Sequence, residues 1–79
     1  MARVLLFGPL RDLAGWRDRQ IDSPFLSALT ARLTADDPDL GAALAAPGVQ
    51  VALDQVIVRG DAPLNPATEV AYLPAMSGG

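Results

Sequence analysis

The chain has 79 residues, 51% of them hydrophobic, with a net charge of −3 and neither histidine nor cysteine. That length allows one domain with a thin core, and no disulfide or Cys/His metal site is available to staple it. All six basic residues are arginine (Arg3, Arg11, Arg17, Arg19, Arg32, Arg59). They form no cluster that would mark a nucleic-acid-binding surface, and without His, Cys or Lys the chain lacks the usual general base, thiol nucleophile and Schiff-base amine of a self-sufficient enzyme.

Residues 3–8 read as a strand, with Leu5 and Phe7 on one face and Val4 and Leu6 on the other. This apolar run is too short for a signal peptide, and Pro9 interrupts it. No stretch approaches the roughly 20 apolar residues that cross a bilayer, so a cytoplasmic protein without membrane contact is expected. From Pro9 the spacing of Leu10, Leu13 and Ala14 predicts a turn or short helix that stops at Gly15. Residues 16–21 suit a second, antiparallel strand.

Ser23-Pro24 predicts a helix start, with the serine as N-cap and the proline at the first helical position. Phe25, Leu26, Ala28, Leu29 and Leu33 then give an amphipathic helix over 24–34. Asp36-Asp37-Pro38 ends it, and a shorter helix fits 38–46 before Pro47-Gly48 turns the chain. Strands follow at 49–53 and 56–58, separated at Asp54-Gln55 by a tight turn or a bulge. After a polar connection at 59–63, a last strand spans 69–73, with Val70 and Tyr72 on one face and Ala71 and Leu73 on the other. The order predicts an α+β domain in which one main helix packs across a mixed sheet.

The sequence then runs Pro74-Ala75-Met76-Ser77-Gly78-Gly79. Proline cannot extend the ladder and turns the chain from the sheet, so residues 1–74 are expected as the domain and 75–79 as a flexible tail. Two glycines by themselves fit a frayed end or an expression scar. A working tail has more specific physics. Residues 74–79, extended, reach up to roughly 20 Å. Gly78 and Gly79 enter a channel too narrow for other residues. The α-carboxylate delivered there is normally ionised, with a pKa of about 3.3–3.7. It is unreactive until another protein converts it to an acyl-adenylate, from which a sulfide equivalent can make a thiocarboxylate.

Val4-Leu5-Leu6-Phe7-Gly8, followed by Leu10-Arg11-Asp12-Leu13 and Gly15, resembles the opening strand and Arg-containing first helix of the ubiquitin-like sulfur carriers. Glu69-Val70-Ala71-Tyr72-Leu73-Pro74, running into Met76-Ser77-Gly78-Gly79, resembles their closing strand and tail. Within that group the chain is most similar to the small subunits of molybdopterin synthases. It departs from their pattern at Ala67-Thr68, where Gly-Asp is usual, at Ala75, where a second proline is common, and at Asp54, near a usual Asn.

The resemblance implies a ubiquitin-like β-grasp fold with an extended C-terminal tail. It implies that an E1-like adenylating enzyme activates Gly79 with ATP. A sulfur donor such as a cysteine desulfurase or rhodanese then converts Gly79 to the thiocarboxylate. A large synthase subunit would accept the tail and pass sulfur to cyclic pyranopterin monophosphate, forming the dithiolene of molybdopterin. A heterotetramer with two small subunits is implied as well. On this reading the chain is not catalytic alone and binds no cofactor or metal, and Gly79 and Gly78 carry the chemistry.

With the helix on one sheet face, Val4, Leu6, Val70 and Tyr72 should be core. Phe7 and Leu73 then lie on the other face, with Ile57 as a candidate companion. Scattered exposed apolar residues are normal, whereas a cluster beside the tail root is better explained as a partner surface, and the family docks through a comparable patch. Arg11 stands at the family's arginine position, either pairing with a partner carboxylate or idle. Pro74, Met76 and Ser77 complete the expected partner-binding set. Trp16 and Phe25 read as core or half-buried packing. Asp36, Asp37 and Asp39 read as a solvated helix end rather than a cation site. Other readings are sulfur donation to the thiazole of thiamine, a tRNA base or cysteine, a ubiquitin-like modifier, or an interaction domain with an idle tail.

Overall fold

The computed structural model describes residues 1–75. The opening run forms β1 (Ala2–Leu6), in which Ala2, Val4 and Leu6 are buried while Arg3 is exposed and Leu5 half-buried. Pro9, whose fixed φ suits a first helical position, opens α1 (Pro9–Ala14), which stops at Gly15 as predicted. The chain returns as β2 (Asp18–Ile21), antiparallel to β1, with Ile21 opposite Ala2 and Asp18 opposite Leu5.

The main helix, α2 (Leu26–Asp36), starts later than Ser23-Pro24 predicts. Phe25 stays extended, and the helix waits until Leu26, because a distant segment pairs with residues 24–26. Phe25 bridges Pro63, the Leu26 N–H donates to the Ala62 carbonyl, and the Leu64 N–H donates to the Pro24 carbonyl. Ser23 caps nothing; its hydroxyl donates to the Phe25 carbonyl at 3.2 Å. The capping acceptor is Asp61, which takes the Ser27 N–H at 2.8 Å and the Ser27 hydroxyl at 2.7 Å. Phe25 is 49% exposed, a correction to the expected packed residue. Trp16 is half-buried as expected, and the Arg19 guanidinium stacks 4.4 Å from its ring centre.

Leu26, Leu29 and Leu33 form the buried stripe of α2. The next pair of capping residue and proline, Asp37-Pro38, does start a helix. Asp37 ends α2 and caps α3 (Pro38–Leu44), accepting the Leu40 N–H at 3.2 Å. Leu40 and Leu44 add to the core. β3 (Gln50–Leu53) and β4 (Val56–Val58) then make a hairpin. Asp54 and Gln55 at its tip have φ of 49° and 71°, the positive pair found in two-residue hairpin turns whose twist matches the strands.

β5 (Glu69–Leu73) runs parallel to β1 and antiparallel to β3, completing a mixed five-stranded sheet of order β2-β1-β5-β3-β4. Val4, Leu6, Val70 and Tyr72, the predicted core, are all at most 2% exposed. The helices cover this face of the sheet. Among the described residues no helix is long and apolar enough to cross a membrane.

Candidate functional site

β5 lies at the centre of the sheet, so the chain leaves the domain from its most buried strand. Leu73 is opposite Gln50 of β3, and the parallel register, with Leu6 beside Tyr72, places Phe7 next to Leu73 on the other side. Pro74 ends the ladder because it has no N–H to offer. The exit runs between two glycines. A Cβ on Gly8 would stand 3.3 Å from Pro74 Cγ, and one on Gly48 would stand 2.8 Å from the Ala75 Cβ. Their φ values of 56° and 88° are also ones that L side chains rarely adopt. A side chain at either position would meet the departing chain.

Strand alternation leaves one face of the sheet without helices. Leu5, Ala71, Ala52 and Ile57 form a row across it, fixed by the pairs Leu5–Ala71, Ala71–Ala52 and Ala52–Ile57. The next row, nearer the exit, is Phe7, Leu73 and Gln50, and the hairpin register continued by one pair brings Arg59 beside Gln50. Phe7 is 43% and Ile57 45% exposed, whereas Leu73 and Pro74 are half-buried. Phe7, Leu73 and Ile57 therefore share the open face, as the alternation predicts, and Pro74 is the exit itself.

Arg11 lies on α1, exposed, with its Nε 3.8 Å from Asp12 Oδ1. It borders the same face, lining a shallow concavity of about 260 Å³ with Phe7, Leu5, Arg17, Arg3 and Asp18. Arg3 and Asp18 neutralise one another there, through a 2.6 Å contact from Nη2 and a 3.0 Å contact from Nε. The bond from Arg3 holds the Asp18 carboxyl below its usual range. Met76, Ser77, Gly78 and Gly79 lie outside the described residues.

Arg59 was missing from the predicted contact set because the sequence places it at the start of a polar connection. Its two-residue spacing from Ile57 carries the signal, since alternation puts both on one face. Ala52, Ala71 and Leu5 gave a weaker signal, because small or half-buried residues do not announce an open surface.

Asp18 and Asp61 are held below the usual carboxylate range by the donors on them, and burial pushes the Tyr72 phenol up. None of the three moves towards neutrality, where an acid or base catalyst needs its pKa. Asp36, Asp37 and Asp39 gather no metal site among the described residues.

The sequence pattern of the ThiS family matches residues 4–79. The chain is 32% identical over 81 residues to the molybdopterin synthase sulfur carrier subunit of Escherichia coli (strain K12), with 100% of each chain covered. Among solved structures it is similar to SAMP1 from Haloferax volcanii, at a TM-score of 0.85 and 20% identity over 99% of this chain and 98% of that one. It is also similar to the small archaeal modifier protein 1 of Methanosarcina acetivorans, at a TM-score of 0.88 and 20% identity over 99% and 95%. At such identity these two likenesses describe the fold, a ubiquitin-like β-grasp.

Proposed function

The chain belongs to the ThiS family of ubiquitin-like sulfur carriers, and from that premise we propose that it is the sulfur-carrying small subunit of a molybdopterin synthase, working in the cytoplasm. The observation that carries this reading is the 32% identity to a molybdopterin synthase sulfur carrier subunit over the whole of both chains. The side-chain inventory agrees: a chain without His, Cys or Lys supplies a cargo-bearing end and leaves acid–base work to its partners.

In the proposed cycle an E1-like enzyme first binds the open face and draws in residues 76–79. The Gly79 carboxylate attacks the α-phosphorus of ATP, pyrophosphate leaves, and an acyl-adenylate forms. A sulfide equivalent from a sulfur donor adds to the carbonyl carbon, AMP leaves with the carboxyl oxygen it holds, and the thiocarboxylate remains. The large synthase subunit then binds the same face. The thiocarboxylate sulfur bonds to a carbon of cyclic pyranopterin monophosphate in place of a carbon–oxygen bond, and water cleaves the acyl–sulfur bond, returning Gly79 to the carboxylate. Phe7, Ile57 and Leu73 supply apolar contact, Arg11 a cation, and Pro74, Met76 and Ser77 the stem leading to Gly78 and Gly79. The chain itself binds no cofactor.

Complementation tests the pathway. Expressed in a bacterium lacking its own molybdopterin synthase sulfur carrier subunit, the chain should restore molybdoenzyme activity, and a version without Gly79 should not. Rescue of a thiamine or tRNA-thiolation defect instead would assign the carrier elsewhere.

A further inference from the structure

At the exit Leu73 pairs with Gln50, and Phe7 and Arg59 follow one residue beyond β1 and β4, where the strand registers carried on by one pair bring them into the same row. Arg59 is exposed, and among the described residues no carboxylate lies within ion-pair distance of it. The nearest acid in sequence, Asp61, forms no ion pair with it and turns its carboxylate to the start of α2 instead. Its Oδ1 accepts the Ser27 and Ala62 N–H groups, and its Oδ2 accepts the Ser27 hydroxyl. The carboxylates of the open face lie elsewhere: Asp18 is on Arg3, and Glu69 stands opposite Arg3 at the far end of β5. An overall acidic chain thus places an uncompensated cation at the border of its apolar patch.

Arg59 also lines an open concavity of about 380 Å³ at the β3–β4 edge, with Ile57 and Gly60 and, from the helix side, Leu26, Val51 and Val58. The concavity holding Arg11 and Arg17 lies across the face, beside β1. The strand order puts three interstrand steps between β1 and β4, so the two cationic sites are on the order of 14 Å apart. Leu73 sits between them, with Phe7 lining the first concavity and Ile57 the second.

We propose that Arg59 is a second cationic contact of the docking face, accepting a carboxylate of the large synthase subunit, which presents an apolar centre flanked by acids at this spacing. The assignment rests on the molybdopterin synthase reading above. A guanidinium at the rim of an apolar patch pairs with a carboxylate in the planar, two-pronged geometry that favours arginine over lysine. Two flanking charges also fix the rotational register of an otherwise featureless apolar contact, and so aim the exit between Gly8 and Gly48 at the partner's active site.

The test is calorimetric titration of the large subunit from the same organism with the full chain, at low and high salt. Arg59→Glu should weaken binding about tenfold or more at low salt, with the difference shrinking at high salt. Arg59→Lys should lose about threefold, since the charge stays and the two-pronged geometry goes. Arg32→Glu makes the same charge change on α2 and should leave binding as it was. Melting curves verify that each variant folds. If Arg59→Glu binds as tightly as Arg32→Glu while the wild type binds, the Arg59 contact is overturned and the functional reading stands. If the wild-type chain fails to bind the large subunit, the pathway assignment is overturned and the Arg59 contact goes with it.

Discussion

The hydroxyl of Tyr72 lies 2.8 Å from the hydroxyl of Thr30, tying the strand that leads into the tail to the middle of the main helix. Tyr72 is 1% exposed and Thr30 half-buried, so this bond is made at the partly shielded seam between sheet and helix. The residues that follow therefore start from a fixed point. A carrier that must thread its end into another protein gains accuracy from such an anchor, because the partner binds the body and the tail together.

Removing that bond alone should be felt in stability rather than docking. Tyr72→Phe leaves the Thr30 hydroxyl without its partner and should cost about 1 kcal/mol. Tyr72→Ala also opens a cavity and should cost about 3–5 kcal/mol. Urea unfolding reads both, and Tyr72→Phe should bind partners as the wild type does.

The exit predicts a contrast between glycines. Gly48→Ala forces a side chain into a φ of 88° and into contact with Ala75. It should destabilise the domain by about 1–2 kcal/mol and slow sulfur loading. Gly15→Ala meets a similar φ of 83° but nothing within 4 Å, so it should show the stability loss with loading intact. Equal loading rates in the two variants would contradict the steric account of the exit.

Acid should weaken the link between residues 61–64 and the main helix. The Ser27 and Ala62 groups that donate to Asp61 hold its carboxyl below its ordinary value. A lowered folded-state pKa stabilises the fold above the unfolded-state pKa of about 3.9, and that contribution disappears as pH falls through the folded value. Asp61→Ala should therefore melt below the wild type at neutral pH, and the gap should close in strong acid. Melting temperatures of both proteins across that range decide it.

A charge in the apolar patch should separate docking from folding. Phe7 and Ile57 are 43% and 45% exposed, so Phe7→Asp and Ile57→Asp should fold. Each should weaken binding to the large subunit by about tenfold or more, as loss of an apolar anchor does. Titration calorimetry measures it, and wild-type affinity in both variants would remove this face from the account.

Most of the fold was legible because alternation and helical spacing are local signals. Val4, Leu6, Val70 and Tyr72 announced the core by period two, and Leu26, Leu29 and Leu33 by helical spacing. Ser23-Pro24 misled because its rule assumes that the adjoining backbone is free to turn. Phe25 is instead bridged to Pro63, and the cap arrives as Asp61 from far along the chain. The same rule held at Asp37-Pro38, where nothing competes. For the site, Phe7 and Leu73 followed from alternation, whereas placing Ile57, and with it Arg59, on the same face required the register across β3 and β4. The slot between Gly8 and Gly48 required the path of the exit, which no local pattern encodes.

The central claim is that Gly79 takes up sulfur at its carboxyl end, and intact-mass spectrometry tests it most directly. After incubation with an E1-like adenylating enzyme, ATP and a sulfur donor, the chain should gain the mass of one oxygen-to-sulfur exchange, and the chain lacking Gly79 should gain none. An unchanged mass, with the same enzyme active on its own carrier, would contradict the account.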